Sequence, residues 1–148
     1  MLRGRQRLVL DSKGRLQVPT KFRAAFATEG RLVVTIDRAP CLLLYPLSAW
    51  EIVEQKLARL SSVHEEARQW KRFLLGNAED CEVDAQGRVL LPAELRVFAL
   101  LEKQVMLVGQ GNKLELWNAA LWDERNAAWL AQGDSLAARI PELAALDF

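Results

Sequence analysis

Apolar residues recur with period two near the start of the chain. Leu8 and Leu10 alternate with other positions, and Leu16 and Val18 resume the alternation after Asp11-Ser12-Lys13-Gly14. Such alternation marks strands with one buried face, and a polar break ending in glycine marks a tight turn. The pattern predicts a β-hairpin, with Gly14 supplying the positive φ that the turn requires. Pro19 closes the second strand and suits the first position of a short helix over 19–27. A second strand pair is predicted at 31–36 and 41–45. The period then changes. Trp50, Val53, Leu57 and Leu60 form one helical stripe, and Val63, Ala67, Trp70 and Leu74 form another, with Ser61-Ser62 between them. Alternating spacings of three and four predict a helical hairpin.

The strand pattern then returns. Residues 11–23 read DSKGRLQVPTKFR and residues 84–96 read DAQGRVLLPAELR. At a shift of 73, five positions are identical: Asp11/Asp84, Gly14/Gly87, Arg15/Arg88, Pro19/Pro92 and Arg23/Arg96. About one match is expected by chance over such a window at ordinary residue frequencies. Leu42-Leu43-Leu44-Tyr45 also answers Leu114-Glu115-Leu116-Trp117, and Trp50 answers Trp122. The chain is an internal duplication, with too few copies for a solenoid or propeller. The second half is accordingly predicted to repeat the turn at 84–87, a helix at 92–99 and strands at 104–109 and 113–117. A helix from Asn118 to about Leu130 follows, and Gly133-Asp134-Ser135 is expected to end it and cap a short last helix before Pro141. The division expected is one repeat at 5–51, a helical connector at 52–78, a second repeat at 79–124 and a helical tail at 125–148.

Catalytic chemistry finds no support in the residues. His64 is the one histidine, and a zinc-protease spacing would need a second at 68, where Arg68 stands. Cys41 and Cys81 lie in apolar strand patterns 40 residues apart and are expected in the core, in keeping with a reducing cytoplasm. Gly109-Gln110-Gly111 lacks the third glycine of a dinucleotide fingerprint and lies between strands, where a hairpin turn is expected. No catalytic set, metal site or cofactor is expected. The longest uncharged stretch, 39–50, is too short to span a bilayer, and Asp11 interrupts the early apolar run, so neither a membrane span nor a secretory signal is predicted.

Charge changes the picture. The net formal charge is only +1 over 148 residues. Residues 1–23 nevertheless carry seven bases and one acid, while the remaining 125 carry 13 bases and 18 acids. The chain is therefore +6 at its start and −5 elsewhere. Arg3, Arg5 and Arg7 alternate and are expected to line one side of a strand, a row of fixed cations that suits a phosphate backbone. Lys13-Gly14-Arg15 occupies the turn. Gly14 keeps the tip free of bulk, and a guanidinium there can donate two hydrogen bonds to guanine. Asp11 either orients Arg15 or caps the turn through its carboxylate. Gly87-Arg88 repeats the tip with Gln86 in place of the lysine, so its electrostatic pull is expected to be weaker. The five tryptophans are absent before residue 50 and do not interleave with the bases, which predicts core or subunit contacts, not a stacking platform for single strands.

These features resemble the MraZ family of bacterial transcriptional regulators. The resemblance rests on the duplicated Asp-x-x-x-Arg turns, Met1-Leu2-Arg3-Gly4, Leu10-Asp11-Ser12-Lys13-Gly14-Arg15-Leu16, Cys41-Leu42-Leu43-Leu44-Tyr45-Pro46-Leu47, Phe73-Leu74-Leu75-Gly76 and Val105-Met106-Leu107-Val108-Gly109, and covers about residues 1–130. It implies an α+β fold of two tandem AbrB-like swapped-hairpin half-barrels, assembled into a ring of many subunits. It further implies repression of the division and cell-wall gene cluster through short G-rich direct repeats of double-stranded DNA, in a cytoplasmic, nucleoid-associated protein. The DNA-facing residues it implies are Asp11 and Arg15, and Asp84 and Arg88. Two alternatives are a ring-forming scaffold for protein partners and an antitoxin-like regulator of the same fold, for which residues 133–148 look too short to hold a toxin.

Overall fold

A computed structural model describes residues 1–146; the last two residues of the expected tail, 147–148, lie outside the described residues. Eight strands and seven helices follow one another among the described residues. The first half contains β1 (Arg5–Val9), β2 (Arg15–Gln17), α1 (Thr20–Ala27), β3 (Arg31–Ile36) and β4 (Leu42–Pro46). The connector holds α2 (Leu47–Ala58) and α3 (Glu65–Leu74). The second half repeats the order as β5 (Glu79–Glu82), β6 (Arg88–Leu90), α4 (Ala93–Phe98), β7 (Gln104–Gly109) and β8 (Leu114–Asn118), followed by α5 (Ala119–Ala131), α6 (Gly133–Arg139) and α7 (Pro141–Ala144).

The two halves are interleaved. A six-stranded antiparallel sheet runs β1-β7-β8-β4-β3-β5, and a separate two-stranded ribbon joins β2 to β6. The strand before each turn and the strand after it therefore part company. Asp11 N–H donates to the Arg15 carbonyl and Gly14 N–H to the Asp11 carbonyl, which closes one rung. Beyond it Leu10 N–H turns to Lys103 and Val18 N–H to Gly87, both in the other half. The turn expected from Leu8–Val18 forms, and its two strands are swapped into separate sheets, the arrangement the resemblance implies. Alternation predicts which face of a strand is buried, and it is silent on which strand lies beside it.

Two apolar clusters lie on opposite faces of the six-stranded sheet. On one face Leu32, Val34, Leu42, Leu44, Leu107 and Leu116 meet Leu16 and Val89 of the ribbon, Phe22 and Phe26 of α1, and Leu95 of α4. On the other, Val33, Leu43, Met106 and Trp117 meet Trp50 of α2 and Trp122 of α5. Leu16, Leu32, Leu42, Leu44, Val89, Leu107 and Leu116 are fully buried, so burial of the period-two positions accounts for most of the core. Cys41 and Cys81 are buried as expected.

Local signals and structure differ by small offsets. Pro19 and Pro92 stand one residue before their helices as N-caps, with φ of −58° and −57° fixed by the ring and a non-helical ψ of 144° and 136°. Gly109-Gln110-Gly111 leads into the β7–β8 turn, where Gln110 N–H donates to the Lys113 carbonyl. Gly133-Asp134-Ser135 opens α6 from within, with the Ser135 hydroxyl donating to the Gln132 carbonyl, so the expected cap lies inside the helix. The stripe expected from Val63 to Leu74 is covered only in part: Val63 precedes α3 and is exposed, and Trp70 is 40% exposed, while Phe73, outside the stripe, packs on the core.

Candidate nucleic-acid interface

Each turn is held by its own aspartate. Asp11 Oδ1 accepts the backbone N–H groups of Lys13 and Arg15, both at 2.9 Å. Its Oδ2 accepts Arg15 Nε at 2.6 Å. Both roles left open for Asp11 are therefore filled by one carboxylate. Asp84 does the same work in the second half, accepting Gln86 N–H and Arg88 N–H on Oδ1 and Arg88 Nε on Oδ2, all at 2.9 Å. The Arg15 amide, followed by its guanidinium and the Lys13 amide, outweighs desolvation and holds the Asp11 carboxyl down at about 2. Asp84 is lowered in the same way, first by the Arg88 amide.

The backbone between these contacts is glycine-dependent. Gly14 has φ +83° and Gly87 has φ +79°, in the left-handed region that side chains avoid. Each glycine is also seated on an arginine of the opposite half. A methyl group on Gly14 would collide with the Arg96 guanidinium, and one on Gly87 would lie 2.5 Å from Arg23 Nε. The two arginines are fixed in turn. Arg23 Nε donates to the Val18 carbonyl at 2.8 Å, and Arg96 Nε to the Leu91 carbonyl at 3.1 Å. All five identical positions of the duplication now have a job: aspartate ties the turn, glycine shapes it, the tip arginine is presented, proline starts the helix and the last arginine seats the other half's glycine. Sequence reading counted Arg23 among the early basic residues and gave neither Arg23 nor Arg96 this task, since the partner glycine lies 64 residues from one and 82 from the other. Their recurrence at the shift of 73 was the signal available.

The ribbon brings the two tips onto one surface. Arg15 pairs with Leu90, Leu16 with Val89 and Gln17 with Arg88. Residues opposite one another in an antiparallel pair share a face. Leu16 and Val89 face the core, so Arg15, Gln17, Arg88 and Leu90 all face outward. Their outer positions are set by strand pairing, not by flexible loop. Leu90 is 57% exposed, an apolar side chain between two arginines. The Gln17 amide donates to the Gln86 carbonyl and ties the first strand to the second turn. Gln17 and Leu90 were missed by sequence reading because neither carries charge and neither repeats in type.

The other predicted residues lie elsewhere. Gly4, at φ +91°, interrupts the alternation before β1, so only Arg5 and Arg7 of the three alternating arginines share a strand face. Arg5 lies opposite Val108 and Arg7 opposite Met106, which puts both on the sheet face that α5 covers. Arg7 donates to both carboxylate oxygens of Asp123 on α5, at 3.1 and 2.7 Å. Lys13 stands at the first tip beside Gly14 and Arg15. One further group, Asp37, Cys41 and Glu115, converges beside the second apolar cluster. Burial, then Glu115 and Asp37, pushes the Cys41 thiol up, and Glu115 accepts the Trp117 indole N–H at 3.1 Å.

The chain resembles known proteins over nearly its whole length. A family model described as "MraZ protein, putative antitoxin-like" matches residues 1–73 and again 74–135. Proteins called "Transcriptional regulator MraZ" are close relatives. The one from Legionella pneumophila (strain Corby) is 48% identical over 145 residues, covering 96% of this chain and 95% of its own. The one from Methylococcus capsulatus is 45% identical over 152 aligned positions, covering all of both chains. That of Idiomarina loihiensis is 56% identical over 130 residues, covering 86% of each.

Proposed function

The chain belongs to the MraZ family, and from that premise we propose that it is a transcriptional regulator that reads duplex DNA with the outer face of its β2–β6 ribbon. The relatives' name describes a non-enzymatic class. The observation that carries the DNA reading is the placement of Arg15 and Arg88 on one exposed ribbon face, each aimed by its own aspartate. The major groove of B-DNA admits a two-stranded β-ribbon, and an arginine there can donate two hydrogen bonds to guanine O6 and N7. Nε of each arginine is committed to aspartate, which leaves the two terminal nitrogens to face a base. Lys13 adds a phosphate contact beside the first tip.

The finer reading is repression, through short G-rich direct repeats, of a division and cell-wall gene cluster. The two repeats, 5–51 and 79–124, supply the ribbon, with a connector at 52–78 and a tail from 125. One arginine discriminates among bases by only about 1–3 kcal/mol. A ring of subunits, each placing its ribbon on successive repeats, multiplies that preference through effective concentration. A DNA-associated regulator of this kind works in the cytoplasm, at the nucleoid. The test is selection from a random duplex library by the purified protein, followed by footprinting. Enrichment of G-rich direct repeats is expected. Enrichment of no sequence overturns base reading, and no retention on DNA at low salt leaves a protein scaffold as the better account.

A further inference from the structure

Three side chains able to hold a metal meet on the sheet face under α2 and α5. Asp37 follows the last residue of β3, Cys41 precedes β4, and Glu115 lies in β8 of the other half. The Cys41 sulfur and one carboxylate oxygen each from Asp37 and Glu115 all lie within 4.8 Å of one another. Local structure fixes each of them. Asp37 N–H donates to the Cys41 carbonyl at 3.2 Å and Cys41 N–H to the Ala39 carbonyl at 2.6 Å, which closes the turn between β3 and β4. Glu115 lies opposite Leu43 of β4 and Val108 of β7, and so shares the face of that apolar cluster. No spacing in the sequence announces the set, because its third member comes from the other half.

The two acids have no cation. Neither Asp37 nor Glu115 forms an ion pair among the described residues. Lys113 lies over the Tyr45 ring and Arg125 over the Trp117 ring instead. One oxygen of each carboxylate is held, by Arg38 N–H at 2.6 Å in Asp37 and by the Trp117 indole N–H at 3.1 Å in Glu115. The sulfur is an independent sign. Cys41 is fully buried, and its thiol makes no hydrogen bond among the described residues, whereas the Cys81 thiol lies 3.8 Å from the Glu79 carbonyl. Two acids and a bare thiol gathered in a half-buried corner are costly to hold unless a positive charge joins them.

We propose that Asp37, Cys41 and Glu115 bind a divalent metal ion of zinc's class. One thiolate and two carboxylates suit a borderline cation. Sulfur counts against magnesium and calcium, which prefer oxygen, and the carboxylates count against copper(I). Zinc bonds of about 2.0–2.3 Å put tetrahedral ligands about 3.5 Å apart, so the three atoms need close by roughly 1 Å. The ion enters past Asp37 and Glu115, which are half-exposed, and meets Cys41 at the floor. Ligation removes the thiol proton, which passes to solvent, and a water completes the tetrahedron. β4 pairs with β8 beside this point, so the ion pins the seam between the two halves of the duplication. The ribbon packs on the opposite sheet face, and the inference does not rest on the DNA reading.

Cobalt(II) is the probe. The tag-free full-length protein, reduced and stripped of metal, is titrated with Co²⁺ alone and followed by absorption. A thiolate-to-cobalt charge-transfer band in the near ultraviolet is expected, and Zn²⁺ should bleach it. Cys41→Ala should lose the band and Cys81→Ser should keep it. Asp37→Asn and Glu115→Gln should each weaken Co²⁺ binding at least about tenfold, the loss that even an outer partner of a ligand brings. No band in the unaltered protein overturns the site and leaves a shared proton as the tie between the acids. A band that survives Cys41→Ala, or either carboxylate variant binding as tightly as the unaltered protein, overturns it too. Should Cys41→Ala fail to fold by circular dichroism, Asp37→Asn combined with Glu115→Gln decides. Loss of the band at a Co²⁺ level that saturates the unaltered protein supports the site, and an unchanged titration overturns it.

Discussion

The turn at Asp11–Arg15 and the turn at Asp84–Arg88 have the same bones and different skins. In both, one carboxylate accepts two backbone N–H groups and an arginine Nε, and a glycine near φ +80° shapes the bend. Around that frame the side chains diverge. Lys13 stands where the second turn has Gln86, and Gln17 where the second strand has Leu90. The duplication has kept what holds an arginine still and released what surrounds it. Geometry and attraction are therefore separable here, and the two turns are an internal control for each other.

Removing the tip arginines should give the largest effects. Arg15→Ala is expected to weaken binding to a repeat-bearing duplex by at least about fivefold, the lower end of a bidentate guanine contact, with fold and oligomeric mass unchanged. Arg88→Ala should weaken it less, since no lysine stands beside it. Mobility shifts at one salt concentration rank the two, and equal losses would make the turns equal partners. Next come the glycines. Gly14→Ala and Gly87→Ala each force a side chain into the left-handed region and against an arginine, and each should cost roughly 1–3 kcal/mol in urea unfolding. Here the turns should not differ; an innocuous substitution at either would break the reading of a shared frame.

Lys13→Gln and Gln86→Lys exchange the skins. The first should flatten the dependence of log binding constant on log salt by about one and the second should steepen it by about one, with base preference retained in both. The smallest effect is in acid. Both aspartates have carboxyls lowered in the folded chain, so each contributes stability above its ordinary value near 3.8. That contribution fades as pH falls, for Asp11 toward about 2. Carbon-detected titration of the Asp11 carboxyl should place its midpoint well under 3.8; a midpoint at the ordinary value removes the triple contact as described.

Much of this was legible in the sequence. The duplication, the positions of the turns, the helices and the buried cysteines all follow from spacing and residue type. What spacing withholds is partnership. Leu8 and Leu10 announce a strand, and nothing in them says that its neighbour is Val105 of the other half. Arg3, Arg5 and Arg7 announce a row of cations, yet Gly4 breaks the row, and pairing with β7 turns Arg5 and Arg7 toward α5. Arg23 looked like one more surface base, and the glycine that gives it meaning is 64 residues away. In each case the missing information was a contact between residues distant along the chain.

The crossed seating of Gly14 on Arg96 and of Gly87 on Arg23 has a consequence for the newborn chain. Synthesis delivers the first tip long before the residue that supports it. Until Arg96 and the strand leading to it have left the ribosome, Gly14 has nothing beneath it and β2 has no ribbon to join. β1 waits longer still, for Gln104–Gly109. Contacts across such separations close late and slowly. The unfinished polypeptide therefore lacks the β2–β6 ribbon, which can form only after residues of both halves have been made.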